Sequence, residues 1–294
     1  MAWRLRSAVY RAHEAPLTME SAMSNSINTN IGAMAAMGAL RGVGQQLQTS
    51  QKQVQTGYRV ADAMDDASTF TVAQGIRGNL QAFTAVSNSL TNGTGLGAVT
   101  EAALTGISNI VGNLQAKISQ LADGSIGNDQ RTIYAADFGA MTNQISIFIA
   151  QANYNGVNLL SNNSAARTFL ADTSAATIAV ASRSSVSTAF TAFGATSVSS
   201  ATAATAALTS LTTFRSAVSA ALGGNAADSR TLRLQANLLN AIVDSTTQGL
   251  GAVIDADIGK ASAVTQSRQV QQQLAVQQLS VANQQPQLIL GIVR

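Results

Sequence analysis

Two stretches of this chain repeat apolar residues on a strict heptad. Leu104, Ile107, Val111, Leu114, Ile118 and Leu121 step by 3, 4, 3, 4 and 3. Tyr134, Phe138, Met141, Ile145, Phe148 and Ala152 step by 4, 3, 4, 3 and 4. A stripe of that period stays in contact over several turns only when the helix winds against a partner helix. The chain is therefore confined to mainly α folds in which helices lie side by side. Composition agrees: charged residues are 11% and aromatics 4%, and much of the 46% apolar content is alanine. Charge is well under the roughly 25% of an ordinary domain. Small apolar residues with abundant Gln, Asn, Ser and Thr suit close helix packing better than a bulky globular core.

Several function classes drop out. Without cysteine there is no disulfide framework, iron–sulfur cluster or thiolate zinc site. The net charge is +3, and the basic residues are scattered without interleaved aromatics, so nucleic acid is not an expected partner. No run approaches 18 apolar residues, so no membrane span is expected. Arg4, Arg6 and Arg11 precede no apolar stretch of the kind a cleaved secretory leader needs. The one histidine, His13, leaves Ser-His-Asp chemistry without a base elsewhere, and no H-E-x-x-H occurs. Asp65-Asp66 reads as a cap or surface contact rather than a metal pair, and Asp255 and Asp257 as helix-dipole partners. Gly93–Gly97 has neither a preceding strand nor a following lysine, so it reads as a turn between two helices, not a phosphate loop. No catalytic residue, metal or cofactor is expected.

Along the chain, residues 1–22 stand apart, holding the only Trp, the only His and one of two prolines. They read as an appendage, either an over-extended start before Met23 (or Met19) or a short amphipathic arm. A helical pattern over 23–57 carries Ile27, Ile31, Met34, Val43, Leu47, Val54 and Tyr58 until Gly57 interrupts it. Residues 58–160 hold a connector, an amphipathic helix marked by Val72, Ile76, Leu80, Phe83 and Leu90, and the two heptad helices. Gly124 is the expected stop of the first and Asn128 the expected N-cap of the second. Asn155-Gly156 is a turn dipeptide.

Residues 161–200 read as a small β element with runs at Thr168–Leu170, Thr177–Val180 and Val186–Phe190. Helical periodicity returns over 201–249, with a break at Gly223-Gly224 and a cap at Asp228. A last long helix spans 250–294, with Val253, Ile254, Ile258, Val264, Val270, Leu274 and Val281 among its apolar positions. It holds nine glutamines between 266 and 285, so its polar face can enter an interface without burying charge. Alone it is marginal in water and needs a partner. The predicted fold is mainly α: a long antiparallel coiled-coil or helical-bundle rod with a small β-hairpin element near the middle. A 35-residue terminal helix spans roughly 50 Å.

Four segments carry a family resemblance, in order and over about 270 residues. SNSINTNIGAM (24–34) resembles the start of bacterial flagellins, with its I-N-T-N tetrapeptide. QTGYRVADAMDDAST (55–69) resembles the S-S-G-x-R-I-x-x-A-x-D-D-A-A segment. ANYNGVNLLS (152–161) is similar to F-N-G-x-x-L-L. DADIGKASA (255–263) with QVQQQLAVQQLSVANQQPQLILGIVR (269–294) resembles the flagellin carboxy terminus. The chain most resembles the short flagellins of alphaproteobacteria.

The resemblance implies a non-enzymatic, self-polymerising filament subunit of the bacterial flagellum. Inner-tube contacts would involve Ile27, Asn28, Thr29, Asn30, Ile31, Met34, Leu47, Val54, Ile258, Leu274, Leu279, Val281, Asn283, Leu288, Leu290 and Arg294. Outer-core packing would involve Leu104, Ile107, Val111, Leu114, Ile118, Leu121, Phe138, Met141, Ile145 and Phe148. It also implies secretion through the flagellar type III export apparatus, a chaperone for the carboxy-terminal helix, and hook-associated and cap proteins as neighbours. Terminal faces that one chain cannot bury are expected to stay disordered until assembly.

The alternative is a hook–filament junction protein, which shares the terminal helices. The compact middle and the NYNG and ANQ elements favour flagellin, and an unrelated coiled-coil scaffold would leave the ordered motifs unexplained. QAKISQLA (115–122) lies where receptor-activating flagellins carry an arginine-rich run, and only Lys117 and Leu121 fit that pattern. For the Ser/Thr-rich stretch 172–213, O-glycosylation and a plain polar face both stay open.

Overall fold

The computed structural model of the chain describes residues 29–292, with side chains to residue 284. Residues 1–22, Ile27, Asn28 and Arg294 lie outside the described residues. Leu288 and Leu290 lie where only the backbone is described. Two compact units form: a terminal unit of Met1–Ala61 with Asp255–Arg294, and a central unit of Asp62–Ile254.

The central unit is built on two very long helices, α2 (Ala67–Leu121) and α5 (Ala201–Ile254). They run antiparallel: the Asn225 amide donates to the Gly97 carbonyl at 2.9 Å, and Arg215 Nη1 donates to Gln115 Oε1 at 3.2 Å. Between α2 and α5 come α3 (Asn128–Gln151), the strands β1 (Arg167–Leu170) and β2 (Thr177–Val180), and α4 (Ser184–Gly194). The heptad residues of α2 are fully buried against Phe138 and Ile145 of α3, Val186 and Phe193 of α4, and Leu211, Phe214 and Val218 of α5. Phe193 stacks on Phe214 at 5.8 Å and meets Phe138 edge-on at 5.7 Å, so three helices share one aromatic cluster. A second cluster, with Val86, Leu90, Leu96, Leu159, Val180, Leu232 and Leu239, carries the antiparallel hairpin β1–β2.

The ends of these helices differ from the sequence expectation. Gly124 stops nothing: α2 ends at Leu121, where the Arg131 guanidinium donates to the carbonyls of Leu121 and Asp123. Asn128 is the first residue of α3 rather than its cap, which is Gly127. Asp66 caps α2 by accepting from Ser68 N and Thr69 N, each at 3.1 Å, matching the cap reading of the Asp65-Asp66 pair.

Three local expectations are overturned by packing. Gly93–Gly97 is no turn; α2 runs straight through it. These glycines are where other chain segments press onto the helix. A Cβ at Gly95 would stand 2.7 Å from the Tyr154 ring, and one at Gly97 would stand 2.5 Å from Ser229 Oγ. Gly223-Gly224 is likewise inside α5, because the Arg183 guanidinium lies on Gly224, 2.7 Å from where a Cβ would be. Val186–Phe190 is helical, in α4, with Val186 and Phe193 buried on one side at a spacing a strand cannot provide.

Asp228 is not a cap but the partner of Arg183. Its carboxylate accepts from the guanidinium and, at 3.1 Å, from Ala181 N. The side chains are only 14% and 23% exposed, so the pair ties the hairpin and α4 to α5 in a largely desolvated place. Asp228→Ala leaves the arginine without its counter-charge and should lower stability by about 2 kcal/mol. Chemical denaturation of the wild type and variant checks this.

Candidate assembly interface

In the terminal unit, α1 (Ile31–Thr56) and α6 (Ile258–Ile292) pair antiparallel. Among the shielded residues, Ala33, Ala36, Leu40, Val43, Leu47, Ser50 and Val54 of α1 and Ala261, Thr265, Arg268, Gln272, Ala275, Leu279 and Ala282 of α6 form two series. Both series step alternately by three and four residues, so this is a heptad seam. It is a thin one, filled mainly by alanines and polar residues.

Beyond Leu40, Val43, Leu47, Val54 and Leu279, the larger apolar side chains point away from the seam. Ile31, Met34 and Met37 on α1 are exposed, as are Ile258, Val264, Val270, Leu274, Val276 and Val281 on α6. Met34 is 60% exposed and Leu274 51%, although both sit in long, well-formed helices. The sequence offers these residues as the reason α6 needs a partner. The structure adds that pairing with α1 does not cover them, because α6 turns mainly alanines and polar residues to α1. Burying half of one such side chain contributes about 1 kcal/mol, so the nine together represent on the order of 10 kcal/mol for association. Leu274, Gln277, Gln278, Val281 and Ala282 line a shallow groove in which glutamine amides flank apolar surface.

Both ends of this pair are fastened by segments that sequence reading singles out separately. At one end Asn30 caps α1 by accepting from Ala33 N at 2.9 Å, while its amide donates to the Ala282 carbonyl of α6 at 2.7 Å. At the other end α1 closes on Gly57, whose φ of +74° places it in the left-handed region that glycine tolerates. Tyr58 then bridges antiparallel to Asp255, and Ala256 N donates to the Gly57 carbonyl at 2.9 Å. Asp257 accepts from Lys260 N at 3.0 Å in the first turn of α6, the dipole role expected of it. Asn30 thus meets Ala282, and Gly57-Tyr58 meets Asp255-Ala256, each pair more than 190 residues apart in sequence.

The predicted polymerisation residues divide between seam and surface. Leu47 is buried in the seam, and Val54 and Leu279 are half-buried there, serving the intrachain pair. Ile31, Met34, Ile258, Leu274 and Val281 are the outward set, with Thr29 and Asn283 exposed beside them. Every predicted outer-core residue lies in one cluster, with Met141 and Phe148 at its margin. NYNG forms a tight turn in which Asn155 and Gly156 take positive φ and Tyr154 pairs with Val157. Asn158 then donates to the Ile149 carbonyl at 2.7 Å, closing α3. Among the described residues there is no cluster of metal-ligating side chains.

One unit thus closes its core while the other leaves its bulky faces open along a thin coiled coil. A chain of this build, closed in one unit and open along a coiled coil in the other, has the form of a helical assembly protein. Residues 27–165 match the bacterial flagellin N-terminal helical region. Flagellin FljK of Caulobacter vibrioides is 32% identical over 92% of this chain and 99% of its own length. A flagellin of Brucella melitensis is 29% identical over the same shares. Among solved structures, that of Bacillus cereus flagellin is similar with a TM-score of 0.46 at 18% identity, covering 51% of this chain and 88% of its own. The chain belongs to the flagellin family, as its sequence relatives establish, and is a structural subunit of the bacterial flagellar filament rather than an enzyme. Nothing in these similarities favours the hook–filament junction alternative.

Truncating a core and a surface leucine separates the two kinds of site. Leu114→Ala should lower the stability of the central unit by about 3 kcal/mol. Leu274→Ala should change monomer stability by less than about 0.5 kcal/mol. Denaturant titrations of the unassembled subunits measure both.

Proposed function

We propose that the outward faces of α1 and α6 are the surfaces by which successive subunits pack, forming the inner wall of the filament. The carrying observation is the division within the terminal unit: the intrachain seam is closed with alanines and polar residues at most of its positions, while nine Ile, Met, Leu and Val side chains stay in water. A coiled coil that thin is marginal as an isolated pair, so association and helix stabilisation proceed together. The glutamine-rich face of α6 suits a packed interface because its hydrogen bonds need no buried charge.

The same reading gives the chain a route and a set of partners. It leaves the cell through the flagellar export apparatus, accompanied in the cytoplasm by a chaperone that covers α6, and joins the filament beneath the cap and above the hook-associated proteins. A cytoplasmic partner for α6 fits the exposed Val270, Leu274 and Val281, which otherwise present apolar surface before export.

Two variants test the inner-wall assignment. Leu274→Asp should abolish filament growth while leaving the circular dichroism of the central unit unchanged, as seen by electron microscopy and sedimentation. Removing Leu288–Arg294 should give a soluble subunit that does not polymerise. Filaments of normal length from either variant overturn the assignment. The 115–122 segment yields a separate expectation. Lys117 is engaged, pairing with Asp137 at 2.9 Å and lying 4.7 Å over the Tyr134 ring, and Leu121 is buried. Stimulation of the mammalian flagellin receptor should accordingly be weak in a cell reporter assay.

A further inference from the structure

The central unit closes its core yet leaves two apolar stripes on its surface. On α3, Asp129, Ile133, Ala136, Ala140 and Ile147 are all exposed and fall on the side away from α2. Their steps of 4, 3, 4 and 7 make a heptad stripe. On α5, Arg230, Leu234, Leu238 and Ile242 are exposed at successive spacings of four, a row that winds from the side opposite the buried Leu232 and Leu239 round to their flank. Ile133 and Leu234 are 66% and 63% exposed, as much as the outward residues of the terminal unit.

We propose that these stripes are the two halves of one contact, made between the central units of neighbouring subunits in the filament. Three observations specify the partner as a second copy in this register. The first is direction. α3 runs antiparallel to α2, as the Arg131 contact to Leu121 and the Lys117–Asp137 pair require, and α5 runs antiparallel to α2 as well. α3 and α5 are therefore parallel to each other, and they remain so between subunits laid in the same direction.

The second is complementarity. In a parallel register that sets Asp129 beside Arg230, Ile133 falls beside Leu234, since both pairs are four residues apart. Ala136 and Ala140 then leave room for Leu238 and Ile242, large side chains facing small ones. Neither Asp129 nor Arg230 has an ion-pair partner among the described residues, so each charge is available.

The third is position. Arg131 fastens the start of α3 beside Leu121, whereas Asn225 fastens the neighbourhood of Arg230 beside Gly97. Carried two residues back to Asp129 and five on to Arg230, these anchors set the starts of the two stripes about 31 residues apart on α2, roughly 46 Å at 1.5 Å per residue. The stripes cannot meet within one chain, and they meet between copies only if one is shifted along the helix axes by about that distance. No two-fold axis combines a parallel orientation with such a shift, so the contact is head-to-tail and open. The stripe on α3 is about 27 Å long, and one helix face of that length buries far less than the roughly 1,600 Å² of a stable interface. It acts only in subunits that the terminal helices already hold together, and so rests on the filament reading.

The chain has no cysteine, which makes disulfide trapping clean. Filaments assembled from the full-length Ile133→Cys/Leu234→Cys double variant should, on mild oxidation, run as a ladder of dimers, trimers and longer species in non-reducing electrophoresis. Each single variant should stay monomeric. Intact double-variant filaments that yield only monomer overturn the contact and leave the filament reading standing. Failure of the unaltered chain to polymerise would instead remove the filament reading itself. Charge reversal supplies an independent test should the double variant assemble poorly. Asp129→Arg and Arg230→Asp should each raise the critical concentration for growth about threefold to tenfold, and combining them should restore it. Additive losses in the combination overturn the contact.

Discussion

The antiparallel packing of α2 against α5 is the constraint on which the rest of the central unit depends. A helix of 55 residues cannot persist alone in water on propensity, and here each long helix supplies the apolar wall the other needs. Leu104, Ile107, Val111, Leu114, Ile118 and Leu121 are almost wholly withdrawn from solvent because α3, α4 and α5 converge on that one stripe. The glycines of α2 let this happen at close quarters, admitting Tyr154 at Gly95 and Ser229 at Gly97. Asn225 and Ser229 are polar residues buried in the same place, where Asn225 holds the Gly97 carbonyl and sets the register between the two helices.

The terminal unit follows the opposite rule. Its seam has the heptad spacing but not the heptad content, since alanine, threonine and glutamine occupy much of the α6 side. A fully apolar seam would satisfy the two helices within one chain and leave little reason to associate. A thin seam holds the helices in register while their large side chains face outward. The fastening at both ends, by Asn30 on Ala282 and by Gly57 on Ala256, fixes which faces turn outward. Pairing within the chain and exposed apolar surface are thereby assigned to different residues of the same helices.

A filament subunit must be rigid enough to define a lattice and incomplete enough to need one. The central unit supplies the first through its aromatic cluster and the desolvated Arg183–Asp228 pair, which locks a hairpin and a short helix onto α5. The terminal unit, with its outward Ile, Met, Leu and Val side chains, leaves apolar surface uncovered in the single chain. Two charges of the central unit's surface, Asp129 beside Ile133 and Arg230 beside Leu234, sit at the ends of apolar stripes. Charge so placed specifies register between apolar surfaces more than it adds affinity.

The sequence by itself determined the mainly α class, the heptad core of the central unit, the hairpin over Thr168–Leu170 and Thr177–Val180, and the family. Those are local periodicities and contiguous motifs, and each leaves its mark within one or two dozen residues. It misread Gly93–Gly97, Gly223-Gly224, Asp228 and Val186–Phe190. In each case a local rule for turns, caps or strands was overridden by a residue from far along the chain: Tyr154 and Ser229, Arg183, or the cluster around Phe193. Only the tertiary structure decided that α6 turns its alanines inward and its valines and Leu274 outward. Periodicity locates the faces of a helix, but which face meets the partner depends on where Asn30 and Gly57 fasten a segment more than 190 residues away.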